Sequence, residues 1–122
     1  MKIAFSTSGE DLNAPLDARF GRAPKFLIYD MDTDTFTVID NRKTMDTAQG
    51  AGIQSAETVA RAGVKAIVTG NCGPKAFRVL SAASVRIFNT TAATVREALD
   101  LYRDGGLKEA DSANVEGHWN SA

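Results

Sequence analysis

The chain has 122 residues, with 14 lysines and arginines against 15 aspartates and glutamates and a net charge of −1. That balance argues against an electrostatic binder of nucleic acid or membrane surfaces, and no apolar run reaches the roughly 20 residues of a membrane span. The single cysteine rules out an internal disulfide and fits a reducing, cytoplasmic setting. It cannot by itself build a structural zinc or iron–sulfur site, which takes about four ligands.

In chain order, Met1-Lys2-Ile3-Ala4-Phe5-Ser6 reads as a strand and not as a signal peptide. It enters the polar turn Thr7-Ser8-Gly9-Glu10. Residues 9–25 lack periodicity and contain Pro15, Gly21 and Pro24, so they read as a long loop; loops of that length inside a compact domain are often functional. Phe26–Met31 and Phe36–Asp40 are strand-like runs joined by a hairpin-length polar link. Residues 41–52 read as a second loop, ending in Gly50-Ala51-Gly52. Ile53, Ala56, Val59 and Ala60 then recur at helical spacing, with Gly63 placed to close the helix.

Val64–Val68 is the next strand. It runs into Thr69-Gly70-Asn71-Cys72-Gly73-Pro74, where Pro74 suits the first turn of a helix striped by Phe77 and Leu80. Val85–Phe88 reads as a strand near a sheet edge, because Arg86 interrupts it. Asn89-Thr90-Thr91 is placed to cap a last helix striped by Val95, Ala98, Leu99 and Tyr102, which Gly105-Gly106 ends. Residues 107–122 show no element. The expectation is one domain over 1–106 with a tail over 107–122.

The order β-β-β-α-β-α-β-α predicts a three-layer α/β domain, with the first strand beside the one ending at Val68 and helices on both faces. Ligands of such sheets sit beyond the carboxyl ends of the strands. The Ser6–Gly9, Thr69–Pro74 and Asn89–Thr91 turns should therefore share one rim.

Three features of that rim carry chemistry. Arg19, Arg22 and Lys25 fall within seven positions, opposed locally by Asp17, on a mildly acidic background; this suggests an anionic ligand, and an ordinary solvated loop is the plain alternative. Gly70–Pro74 presents backbone N–H groups at a helix N-terminus, a setting for anions. Cys72 lies in that turn, where a helix terminus lowers a thiol pKa. Metal ligation, redox chemistry and nucleophilic catalysis stay open for it beside simple packing. A nucleophile would want a histidine base, and the one histidine is His118, beside Trp119 in the tail. The P-loop spacing is absent, as is the dinucleotide fingerprint.

Phe20-Gly21-Arg22-Ala23-Pro24, Gly50-Ala51-Gly52-Ile53, Gly70-Asn71-Cys72-Gly73-Pro74-Lys75-Ala76-Phe77 and the ending Ala113–Trp119 together resemble the dinitrogenase iron–molybdenum cofactor biosynthesis family, over essentially the whole chain. That family includes NifX-like proteins, the C-terminal part of NifB and the orange protein of sulfate reducers. The resemblance implies a ribonuclease-H-like fold with a five-stranded mixed sheet in the order 3-2-1-4-5. It implies a carrier of metal–sulfur clusters, monomeric, with cluster donor or acceptor proteins as partners and no catalytic residues. The first strand carries no acid, against ribonuclease H chemistry.

Many family members carry histidine just before the Phe-Gly-Arg run and before the Gly-Ala-Gly turn. Here those places hold Arg19 and Gln49. Arginine does not normally ligate metal; it attracts anions. The resemblance therefore tilts toward the orange-protein type, which holds an anionic molybdenum–copper sulfide cluster without covalent protein ligands. An iron–molybdenum or iron–sulfur cofactor carrier, or a module for a phosphorylated metabolite, are the alternatives. The expected cofactor-binding residues are Ser8, Arg19, Phe20, Gly21, Arg22, Lys25, Gly50, Gly52, Asn71, Cys72, Gly73, Pro74 and Thr90. Cys72 and His118 are the candidates for direct metal contact.

Overall fold

The computed structural model describes residues 1–45 and 50–113. Five strands form one sheet: β1 (Lys2–Thr7), β2 (Lys25–Asp30), β3 (Thr35–Asp40), β4 (Ala66–Thr69) and β5 (Arg86–Asn89). Their order is β3-β2-β1-β4-β5, as the sequence predicts. β1 pairs antiparallel with β2, which pairs antiparallel with β3; β1–β4 and β4–β5 are parallel. Helices α1 (Arg42–Met45), α2 (Ala51–Arg61), α3 (Pro74–Ala82) and α4 (Val95–Arg103) complete the chain. The short α1 lies in the stretch expected to be loop.

The two-residue period of the strands sorts their side chains between two cores. Ala4, Phe26, Ile28, Ile67 and Ile87 face α2 and α3, where Ala56, Val59, Ala76 and Leu80 meet them. Ile3, Phe5, Leu27, Val68 and Phe88 face Val95, Ala98 and Leu99 of α4. The result is three layers, with α2 and α3 on one face and α4 on the other. Phe5, Leu27, Ile67 and Leu80 are fully buried, and each such side chain stabilises the fold by about 1.5–3 kcal/mol. No helix among the described residues is long and apolar enough to cross a membrane.

Two local expectations are corrected. The cap of α4 is Thr94, not Asn89–Thr91: Thr94 Oγ1 accepts from Glu97 N at 3.2 Å and Glu97 Oε2 accepts from Ala93 N at 2.9 Å. This Thr-x-x-Glu pairing satisfies orphan N–H groups reciprocally and leaves residues 89–93 to shape the rim. Past Gly106 the chain does form structure. Glu109 bridges Phe88, Ala110 N donates to Ile87 O at 2.7 Å, and Arg86 pairs with Glu109 at 2.7 Å. The segment thus covers the outer edge of β5, which would otherwise present unpaired backbone groups.

Candidate functional site

The carboxyl ends of β1, β4 and β5 lie on one rim because the three strands are parallel. Ser6 Oγ donates to Asp17 O and accepts from Thr69 Oγ1, both at 2.8 Å, tying β1, β4 and the long loop together. Thr90 N donates to Thr69 O at 3.0 Å, and Asn89 Nδ2 to Gly70 O at 3.3 Å, joining the β5 exit to the β4 exit.

The 9–25 loop is tied back to the sheet by isolated bridges and hydrogen bonds. Leu16 bridges Thr7 and Arg19 bridges Asn71, with Phe20 N donating to Asn71 O at 3.2 Å. Glycine makes these approaches possible. A Cβ on Gly70 would stand 2.7 Å from Ala18 Cα and 2.8 Å from its carbonyl oxygen; one on Gly21 would stand 2.9 Å from Gly52 Cα. Phe20 is buried against Phe26, ring centroids 5.2 Å apart, and anchors the loop from below. Asn41 Nδ2 donates to Ala23 O and to Ser55 Oγ, at 2.9 and 3.1 Å, bracing its far end.

The expected site residues therefore gather in part. Arg19, Phe20, Gly21, Gly52, Asn71, Gly73 and Pro74 belong to three mutually packed segments, with Gly73 as N-cap and Pro74 in the first turn of α3. Gly50, with φ of 78°, is the N-cap of α2. Arg22 is half-buried in the same loop and Ser8 is exposed at the turn after β1. Thr90 lies across the rim on the β5 side. Gln49 and His118 lie outside the described residues.

The electrostatics differ from the sequence reading at two positions. Lys25 begins β2 and pairs with Glu10 at 2.8 Å, which holds the Glu10 carboxyl below its usual range. Its charge is thus compensated by a residue of its own loop. Among the described residues the Arg19 guanidinium has the longer ion-pair contact to Asp17, 3.7 Å, and its side chain is 65% exposed. Cys72 is the second case. Its side chain turns inward among Phe20, Ala76 and Leu80, 1% exposed, and burial pushes the thiol up to about 12. Desolvation outweighs the helix terminus here, opposite to the expected lowering.

Among the described residues no three of histidine, cysteine, aspartate and glutamate converge as a metal-ligand set. What the rim offers instead is guanidinium, amide and hydroxyl. An open cavity of about 470 Å³ lies over the ends of β4 and β5. Its lining includes the polar Asn71, Asn89, Thr90 and Thr91, the apolar Leu101 and Leu107, and Lys108. Asn89, Thr91 and Lys108 are absent from the residues expected from sequence. The position of Asn89 and Thr91 after a parallel strand is the signal that points to them; nothing local points to Lys108.

The fold and rim define a small three-layer α/β domain that presents hydrogen-bond donors and positive charge beyond its parallel strand ends. Residues 1–105 match the family described as dinitrogenase iron-molybdenum cofactor, and the chain belongs to that family. The apo orange protein of Desulfovibrio gigas superposes with a TM-score of 0.90 at 35% identity, covering 93% of this chain and 95% of that one. A putative NifB protein from Thermotoga superposes at 0.79 with 32% identity, covering 88% and 91%. An uncharacterized protein of Methanocaldococcus jannaschii is 29% identical over 114 residues, 89% of this chain and 91% of its own.

Proposed function

We propose that this protein is a non-catalytic carrier of an anionic molybdenum–sulfide cluster, with copper in the metal core, held by charge and hydrogen bonds rather than by coordination to side chains. The observation that carries the reading is the chemistry of the rim. Arg19 is bridged to Asn71, two residues before the Gly73 N-cap of α3, Arg22 follows in the same loop, and the one thiol is buried with its pKa raised. Such a surface suits a pre-assembled cluster that brings its own sulfide ligands. Guanidinium groups attract it, and backbone N–H groups at the helix terminus donate to its sulfides. The likeness to the orange protein supports the same reading, as does membership of a cofactor family. Partners would be the proteins that deliver or accept the cluster, in the cytoplasm.

The test is to add tetrathiomolybdate and copper(I) to the purified apo-protein and record the visible spectrum. The expected result is new charge-transfer bands in the wild type that are lost in Arg19→Ala/Arg22→Ala. A wild-type spectrum equal to the sum of its reagents sinks the proposal. The family's description also supports an iron–molybdenum cofactor as cargo. Iron-dependent colour and paramagnetism with no copper requirement would select that reading.

A further inference from the structure

The basic loop and the cavity meet at Asn71, which is bridged to Arg19 and also lines the cavity. We propose that the cavity over the β4 and β5 ends is the seat of the cluster, that it selects a sulfide-rich anion over an oxyanion, and that Lys108 is the cation of its own lining, acting beside the arginines of the loop. This rests on the carrier reading and deepens it.

Four observations support the seat. None of the residues lining the cavity is acidic, so a dianion meets no opposing carboxylate there. Its volume of about 470 Å³ falls within the roughly 300–1,000 Å³ of small-ligand sites. Thr90 Oγ1 accepts from Ala92 N at 3.2 Å, which turns its own O–H toward another acceptor. Arg19, whose backbone is bridged to the lining residue Asn71, brings a second cation into the neighbourhood.

Selectivity follows from the apolar part of the lining. Leu101 is 39% exposed, one of few large apolar side chains left open to solvent, and with Leu107 it lines this cavity. A strongly hydrated oxyanion loses its water against leucine without compensation, whereas a soft, weakly hydrated sulfide surface loses little. The wall is also pre-positioned. Leu107 packs on the α4-side core, and one residue beyond Lys108 the chain is pinned by the Arg86–Glu109 pair and by Ala110 N on Ile87 O. Lys108 is thereby held at the cavity while its side chain stays exposed.

The experiment is a titration of the isotope-labelled full chain with tetrathiomolybdate and, separately, with molybdate, followed by amide shifts. Shifts are expected at Gly70, Asn71, Thr90, Thr91, Leu107 and Lys108 with the thioanion and not with molybdate. Lys108→Gln should raise the Kd about tenfold, the scale of one partly solvated charge contact, while Lys108→Arg stays within about twofold. Shifts confined to residues 19–25 and 50–52, with Lys108→Gln unchanged, overturn the seat and leave the carrier reading standing. Equal response to molybdate overturns the selectivity. No response of amides or visible spectrum to tetrathiomolybdate overturns both the carrier reading and the seat.

Discussion

Native protein mixed with Ellman's reagent should leave Cys72 almost unlabelled, while urea-unfolded protein reacts as a free thiol. The perturbation is unfolding itself, and the magnitude follows from the thiol's surroundings. Cys72 is 1% exposed and its pKa rises from 9.0 to about 12 through loss of solvent. Three units lower the thiolate fraction at neutral pH by about a thousandfold, before any steric barrier is counted. Stopped-flow absorbance at pH 7.5 and at steps up to pH 10, with and without urea, reads both effects. The native rate should be at least about a thousandfold slower and should keep rising tenfold per pH unit past pH 9. A native rate within tenfold of the unfolded one, or a plateau by pH 9, would refute the placement of this side chain and reopen Cys72 as a cluster ligand. The sign for stability is set by the same shift. The folded state favours the neutral thiol, so this contribution is complete below pH 9 and is lost as the pH rises from 9 toward 12.

Gly70→Ala drives a methyl group into the Ala18 backbone at 2.7 Å, where no flexible side chain can yield. It should cost about 1–3 kcal/mol by urea denaturation and release the Arg19–Asn71 pairing, visible as faster amide exchange at Phe20. Thr94→Ala removes the α4 cap and should cost about 1 kcal/mol, read as a lowered urea midpoint with an unchanged slope. At low pH the carboxylates govern. Arg42 holds Asp40 at about 2 and Lys25 holds Glu10 below 4.5, so their contributions are present above pH 4–5 and fade as the pH falls through the folded values. Urea midpoints from pH 6 to pH 2 should fall, and Asp40→Asn should flatten part of that fall; an identical profile in the variant would contradict the pairing.

The sheet was legible because its strands alternate cleanly. Ile3 and Phe5 against Ala4, and Leu27 against Phe26 and Ile28, sort to the two cores that the two-residue period predicts. The shared rim followed from strand direction alone. Side-chain direction within turns did not follow. Nothing in Asn71-Cys72-Gly73 says that the thiol turns inward, because a turn has no period. The Lys25–Glu10 pair spans fifteen residues and forms only when the loop returns to the start of β2. Lys108 is placed by the docking of its segment on the β5 edge, a long-range event with no local pattern. The Thr94 cap is different: its Thr-x-x-Glu signal is local, written in residues 94–97.

Elemental analysis of the untagged protein, isolated anaerobically from its own cells together with acid-labile sulfide, tests the central claim most directly. The account predicts molybdenum with copper and sulfide, retained in Cys72→Ser and lost in Arg19→Ala/Arg22→Ala. Protein free of molybdenum, or a cluster that disappears with Cys72 while surviving the arginine changes, would contradict it.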